Sequence, residues 1–164
     1  MKVAVMAIRK AKKADIDVLV TLLRNSFRDV AEKFGITEAN NPMSLAFCTN
    51  ERIENDLHKD LTYYILEKDD RPCGCVALER AKHGVCYLMR LAVLPEHRGK
   101  GYGKMLVHHI FEKARTTGAR RVEIAMISKD RKLKKWYKGL GFIQKRTKKY
   151  DHLPFIVAFM YREL

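Results

Sequence analysis

Glycines at positions 99, 101 and 103, with Arg98, Lys100 and Lys104 set among them, form the stretch of this sequence best suited to hold a ligand. Glycine lets backbone N–H groups converge on an anion, and a helix opening at the same point adds the partial positive charge of its N-terminus. The three cations supply mobile charge around that point. Together they ask for a phosphate or pyrophosphate. Spacing narrows the choice. A Walker A loop fails because Met105 follows Gly103-Lys104 and no glycine stands at position 98. A dinucleotide fingerprint fails because its third glycine falls on Leu106. A glycine-rich connection without a ligand is the plain alternative, and it leaves the interleaved cations unexplained.

Arg98-Gly-Lys-Gly-Tyr-Gly103 resembles the Arg/Gln-x-x-Gly-x-Gly/Ala signature of the GNAT superfamily of N-acetyltransferases, and Leu91-Ala-Val-Leu-Pro-Glu-His-Arg98 resembles the strand and turn before it. Trp136-Tyr137-Lys-Gly-Leu-Gly-Phe142 is similar to that family's aromatic-Tyr-x-x-x-Gly-Phe segment. The resemblance implies acetyl-CoA as co-substrate and no metal. It implies that the backbone of Leu91 and Val93, with Ala92 between them, receives the pantetheine arm as an added strand. The amides of Arg98, Gly99, Lys100, Gly101, Tyr102, Gly103 and Lys104 would hold the pyrophosphate. Attack of an amine on a thioester needs a neutral nucleophile, a polarised carbonyl and a proton for the departing thiolate. Tyr137 stands where family members place the general acid. Members often carry a basic Glu on the strand before the signature, but Tyr87-Leu-Met-Arg-Leu91 has none. Glu79 on the preceding strand is the remaining side-chain candidate, with a water chain as its alternative. Asp130 stands where many members have Asn, and helix capping is its expected role. The implied activity is direct transfer in a ternary complex to a primary amine, whether of a small molecule, a peptide N-terminus or a protein lysine, with a homodimer as the family's common assembly.

Those residues need elements to hold them. Residues 85–94 form a nearly continuous apolar run, as a central strand does, and Pro95 stops it. Leu106, Val107, Ile110, Phe111 and Ala114 then recur at helical spacing until Gly118. Residues 121–127 read as another buried strand, and Leu133, Trp136, Tyr137 and Leu140 share one side of a helix that Gly141 closes. Upstream, 1–9 predicts a strand and 15–27 an amphipathic helix on Ile16, Leu19, Val20, Leu23 and Phe27. Residues 28–49 carry no assignable element, because Gly35 and Asn40-Asn41-Pro42 break the pattern. Asn50 reads as the N-cap of a short helix through Leu57. Strands over 61–67 and 73–80 flank a turn at Asp69-Asp70-Arg71-Pro72, and Lys82-His83-Gly84 makes the next turn. Strands over 142–150 and 155–161 finish the chain. The order predicts an α/β (α+β) fold: a mixed, mostly antiparallel central sheet with helices on both faces. Residues 1–164 read as a single domain.

Composition bounds the remaining possibilities. The 164 residues include 33 Lys+Arg and 19 Asp+Glu, and 47% hydrophobic content excludes a disordered or low-complexity chain. No apolar run reaches the roughly 18 residues of a membrane span, and no cleavage site follows residues 1–8, so a soluble cytoplasmic protein is expected. Cys73-Gly-Cys75, with His83 and Cys86, can be drawn as a zinc site, since alternation turns both strand thiols to one face. His83 then falls in a turn, and free Cys48, Cys73, Cys75 and Cys86 acting as small core hydrophobes is the better reading. His108-His109 has no carboxylate at metal-ligand spacing. The net charge of +14 is regional: between Gly118 and Tyr150 there are twelve Lys/Arg against Glu123 and Asp130. Two functions compete with the enzyme. One is a nucleic-acid-associated module using residues 129–149 with Trp136, Tyr137 and Tyr150, where binding would be weak and non-specific. The other is a non-catalytic acyl-CoA sensor.

Overall fold

Turn chemistry builds the first half of the sheet. Asp69 and Asp70 both adopt positive φ, 50° and 64°, the left-handed pair that a two-residue hairpin turn requires. They join β2 (Leu61–Lys68) to β3 (Arg71–Arg80), which pairs in turn with β4 (Val85–Val93). The remaining elements are β1 (Met6–Lys10), α1 (Ile16–Lys33), α2 (Asn50–His58), α3 (Tyr102–Thr116), β5 (Arg121–Ile127), α4 (Arg131–Gly139), β6 (Ile143–Lys149) and β7 (Ile156–Glu163). The computed structural model describes residues 2–164.

Seven strands form one sheet in the order β1-β2-β3-β4-β5-β7-β6, antiparallel everywhere except between β4 and β5. One face buries Val76, Leu88, Val122, Ile124 and Met160 against Leu106, Ile110 and Phe111 of α3. The other buries Tyr63, Ile65 and Ala77 against Leu19 and Leu23 of α1 and Ile53 of α2. Each fully buried side chain of this size contributes about 1.5–3 kcal/mol, so the two layers hold the sheet from both sides. The mixed, mostly antiparallel sheet with helices on both faces is as expected. No helix among the described residues is long and apolar enough to cross a membrane.

Two irregularities shape the site. The parallel pair β4–β5 is joined only from Val85 to Tyr87, opposite Arg121 to Glu123. Beyond Tyr87, β4 stays with β3 while β5 stays with β7, so the sheet forks. On the β3 side, Ala77 pairs with Met89 but Cys75 pairs with Ala92, leaving Arg90 and Leu91 opposite one residue. That is a β-bulge, with Arg90 held at a left-handed φ of 56°. Gly74 permits the close approach beside it, since a Cβ there would lie 2.7 Å from the Ala92 carbonyl oxygen.

Several boundaries depart from expectation. The first strand runs Met6–Lys10 instead of the expected 1–9, and Met1 lies outside the described residues. Helix α1 runs on to Lys33, because Val30 and Ala31 extend its apolar stripe. Thr49, rather than Asn50, caps α2: its Oγ1 accepts from the Arg52 N–H at 3.3 Å. The thiols of Cys73 and Cys75 do not share a face. Pairing passes from Leu66↔Gly74 to Glu67↔Pro72, so Cys73 is a bulged residue out of alternation and packs on the α3 side, while Cys75 packs on the α1 side. All four cysteines are free and buried.

Candidate active site

The turn after β4 delivers unpaired backbone donors to a cleft. A 3₁₀ turn (Pro95–His97) leads to Gly101, which precedes α3 in a left-handed conformation, φ 82°. No side chain caps this helix and its first turn carries no acidic residue, so its leading N–H groups are free to meet an anion. Gly103 serves packing instead: a Cβ there would lie 3.2 Å from the Trp136 ring, so α3 and α4 touch closely at this point. The cleft between them encloses about 950 Å³ and is lined by Leu91, Ala92, Val93, Arg98, Gly99, Gly101, Tyr102, Gly103 and Lys104. Of the residues expected to hold a cofactor, Lys100 alone is outside that lining. Lys33, Lys132 and Lys135 also border the cleft and were not legible as ligand-binding residues, since they come from α1 and α4.

At the fork the strand β4 offers its own backbone. The Leu94 N–H donates to the Cys73 carbonyl on the β3 side, so alternation turns the polar groups of Leu91 and the N–H of Val93 toward the open edge, while the Val93 carbonyl accepts from Arg98. An extended amide-bearing chain can add there as a strand. The donor set therefore fits coenzyme A at both ends: backbone pairing at the fork for pantetheine, and helix N–H groups with lysines for its phosphates.

Arg98 acts differently from its lysine neighbours. Its Nη1 donates to Asp29 of α1 at 2.5 Å, its Nη2 to the Ser26 carbonyl at 2.7 Å and its Nε to the Val93 carbonyl at 3.1 Å. The guanidinium thus ties α1 to the end of β4, and it holds the Asp29 carboxyl below its ordinary range. Arg98 also borders the cleft.

Tyr137 lies buried on α4, its ring edge-on to Trp136 at 5.0 Å and to Phe142 at 5.3 Å. Burial, and then the Asp130 charge, raise its phenol well above the ordinary tyrosine range, so it remains protonated at neutral pH. Asp130 caps α4 by accepting from the Leu133 N–H at 3.1 Å. With Tyr137 buried and Trp136 facing the cleft, the aromatics of residues 129–149 and Tyr150 do not form one exposed stacking surface.

Two carboxylates flank the base of the fork. Glu79 pairs across β3–β4 with Tyr87, and Tyr87 pairs across β4–β5 with Glu123, so all three lie in one row. Glu123 borders the fork directly, and Glu79 stands one strand away. Glu123 lies 3.1 Å from Lys145 and 3.7 Å from Arg121. Sequence reasoning passed over Glu123 because only the β4–β5 pairing places it beside the site. Among the described residues no cluster of three or more metal-ligating side chains is present.

A search of family models matches residues 23–142 to the acetyltransferase (GNAT) family. An amino-acid acetyltransferase of Neisseria meningitidis is 30% identical over 154 residues, covering 93% of this chain and 30% of that protein. The chain thus spans under a third of the length of the curated relatives it matches. Among solved structures, PaiA N-acetyltransferase from Thermoplasma acidophilum in complex with coenzyme A has a TM-score of 0.76 at 18% identity, over 98% of this chain and 99% of that one. N-acetylglutamate synthase from Neisseria gonorrhoeae, complexed with coenzyme A and N-acetyl-glutamate, has a TM-score of 0.69 at 26% identity, over 99% of this chain and 36% of that one.

Proposed function

Because the chain belongs to the acetyltransferase (GNAT) family, we propose that it moves an acetyl group from acetyl-CoA to a primary amine by direct attack within a ternary complex. The observation that carries this reading is the cleft itself. It joins an uncapped helix N-terminus, which suits a pyrophosphate, to a forked strand edge, which suits pantetheine. Acetyl-CoA, when bound, supplies the activated thioester carbonyl. The backbone of Leu91 and Val93 orients the arm, and the amides from Arg98 to Lys104 hold the phosphates. Trp136 and Leu133 exclude water from the α4 side.

Tyr137 holds the proton that the departing thiolate needs. Proton removal from the incoming ammonium falls to Glu123 at the fork, directly or through water, ahead of Glu79. The names of the relatives favour an amino acid as the acceptor.

Titration calorimetry with coenzyme A, followed by a thiol-release assay over a panel of amines, tests the proposal. Gly101→Glu puts a side chain and a negative charge where the pyrophosphate must approach, and should abolish coenzyme A binding. Wild-type affinity in that variant would remove the site assignment. Binding without thiol release for any amine would leave a silent acyl-CoA sensor.

A further inference from the structure

The face of the sheet opposite α3 and α4 is left open past β4. Helices α1 and α2 pack over β2, β3 and β4, whereas Glu123 of β5 and Phe159 and Tyr161 of β7 have no helix above them. An acceptor meeting a thioester at the fork must approach from this side, over the connection between α1 and α2.

Three arginines stand at that connection. The bulge at Arg90, one residue before Leu91, sends its guanidinium to Asp56 of α2 at 3.2 Å and to the Tyr63 hydroxyl oxygen at 3.2 Å. Arg52 stands one helical turn before Asp56 and donates to the Met43 carbonyl. Arg24 of α1 donates to the Cys48 carbonyl at 3.1 Å. Three guanidinium groups therefore gather around the end of the connection, residues 34–49, and the carboxylate beside them, Asp56, is spent on Arg90 and Tyr63. Among the described residues neither Arg24 nor Arg52 makes an ion pair. Burial and the Arg90 charge push Arg52 below the ordinary arginine range. Arginine keeps its proton in proteins, so a partly desolvated guanidinium with a carbonyl but no carboxylate of its own favours an anion beside it. A carboxylate matches the planar guanidinium fork, with two oxygens for two N–H donors.

We propose that Arg52, with Arg90 beside it, receives a carboxylate of the acceptor, so that the amine acetylated belongs to a free amino acid rather than to an uncharged amine or a peptide amide. The inference rests on the acetyl-transfer reading and names its acceptor class. Arg90 acts as a positioning residue: fixed by Asp56 and Tyr63, it holds the bulge at Leu91 and adds charge without being consumed.

The test compares the standard L-amino acids with their α-carboxamides, which keep size and amine but lose the charge. Thiol release at saturating acetyl-CoA gives KM and kcat for each pair. The preferred acid should exceed its amide by about tenfold or more in kcat/KM, the scale of one charge-assisted hydrogen bond. In Arg52→Gln that preference should fall to within about twofold, through KM, and Arg52→Lys should restore part of it. Amides accepted as well as acids, or an Arg52→Gln variant that keeps the preference, would overturn the proposal. Thermal unfolding with each acid and its amide supplies a readout independent of turnover. Stabilisation by acids over amides, lost in Arg52→Gln, would support the site even if coenzyme A titration fails and the transfer reading falls. Equal stabilisation by both, or by neither, would count against it.

Discussion

Tyr137 is a phenol kept protonated by burial, carried by a helix that walls the cleft through Leu133 and Trp136 while Tyr137 itself packs in the core behind that wall. If it serves as the acid, Tyr137→Phe removes an interaction made only as the thiolate leaves, while the ring keeps its packing on Trp136 and Phe142. Turnover should fall about 10²–10⁴-fold with coenzyme A affinity retained, measured by steady-state kinetics and calorimetry on the same variant. Near-normal turnover would return Tyr137 to the core. Arg98 makes the opposite kind of contribution. Its side chain is committed to Asp29, Ser26 and Val93, so it ties the loop to α1 and to the end of β4 instead of standing free for an anion. Asp29→Asn leaves that guanidinium without its carboxylate partner and should weaken coenzyme A binding, although Asp29 carries a charge of the wrong sign for a phosphate site. An affinity that rises in Asp29→Asn, as simple removal of a repelling charge would give, would show that the tie to α1 is dispensable.

At the scale of elements, α3 carries both a ligand-facing end and a pH-sensitive flank. His109 packs edge-on to Tyr64 of β2 with ring centroids 4.5 Å apart, and its Nε2 is buried without a partner. Burial, followed by the Lys113 charge, lowers its pKa below the ordinary 6.5. The unfolded chain therefore takes up this proton more readily than the folded one. The contact is intact above that ordinary value, and stability declines as pH falls through it until the folded imidazole is itself protonated. His109→Phe should flatten the decline in thermal stability between about pH 8 and about pH 5, a window set by the imidazole and well above carboxylate titration. An unchanged pH profile would place the sensitivity elsewhere. Asp15 belongs to a separate and more acidic regime. Its hydrogen bond with Arg9 holds it at about 2, so its stabilising share is complete above the ordinary carboxylate range, declines as pH falls through that range and is gone below about 2.

For the whole molecule, the excess of positive charge divides between a cleft and an edge. Lys33, Lys104, Lys132 and Lys135 border the cleft, whereas Lys145, Arg146, Lys148 and Lys149 occupy β6, an edge strand exposed along its full length. Lysines on an open edge oppose pairing with a second sheet, which gives β6 a reason for its charge without any polyanion. Part of that charge is also engaged: Arg146 stacks on Phe159 at 4.2 Å and Lys145 reaches Glu123. Coenzyme A affinity should therefore fall severalfold between about 0.05 M and about 0.5 M salt, with a shallower slope for dephospho-CoA. Any nucleic-acid binding should be weak, equally salt-sensitive and indifferent to sequence. Calorimetry for the first and fluorescence anisotropy with unrelated oligonucleotides for the second read these outcomes. A tight complex that prefers one sequence at physiological salt would reassign the basic region.

What the sequence determined by itself was local. The glycine spacing at 99–103, the apolar runs of β4 and β5, and the helical periodicity from Leu106 to Ala114 are written within short windows, where turn preference and side-chain period act directly. The order of elements along the chain and the number of α-helices followed from those windows. Tertiary structure decided what depends on pairing between distant segments. The fork exists because β4 and β5 share only three residue pairs before each follows another neighbour, and no local signal encodes where two strands part. That fork leaves Glu123 at its base and Glu79 one strand away. Likewise Arg98 finds Asp29 across 69 positions and Arg90 finds Asp56 across 34, so a cation read as a phosphate ligand became a tie and an unremarked arginine became the support of a bulge. Charge is visible in a sequence, but the partner that spends it is chosen by packing.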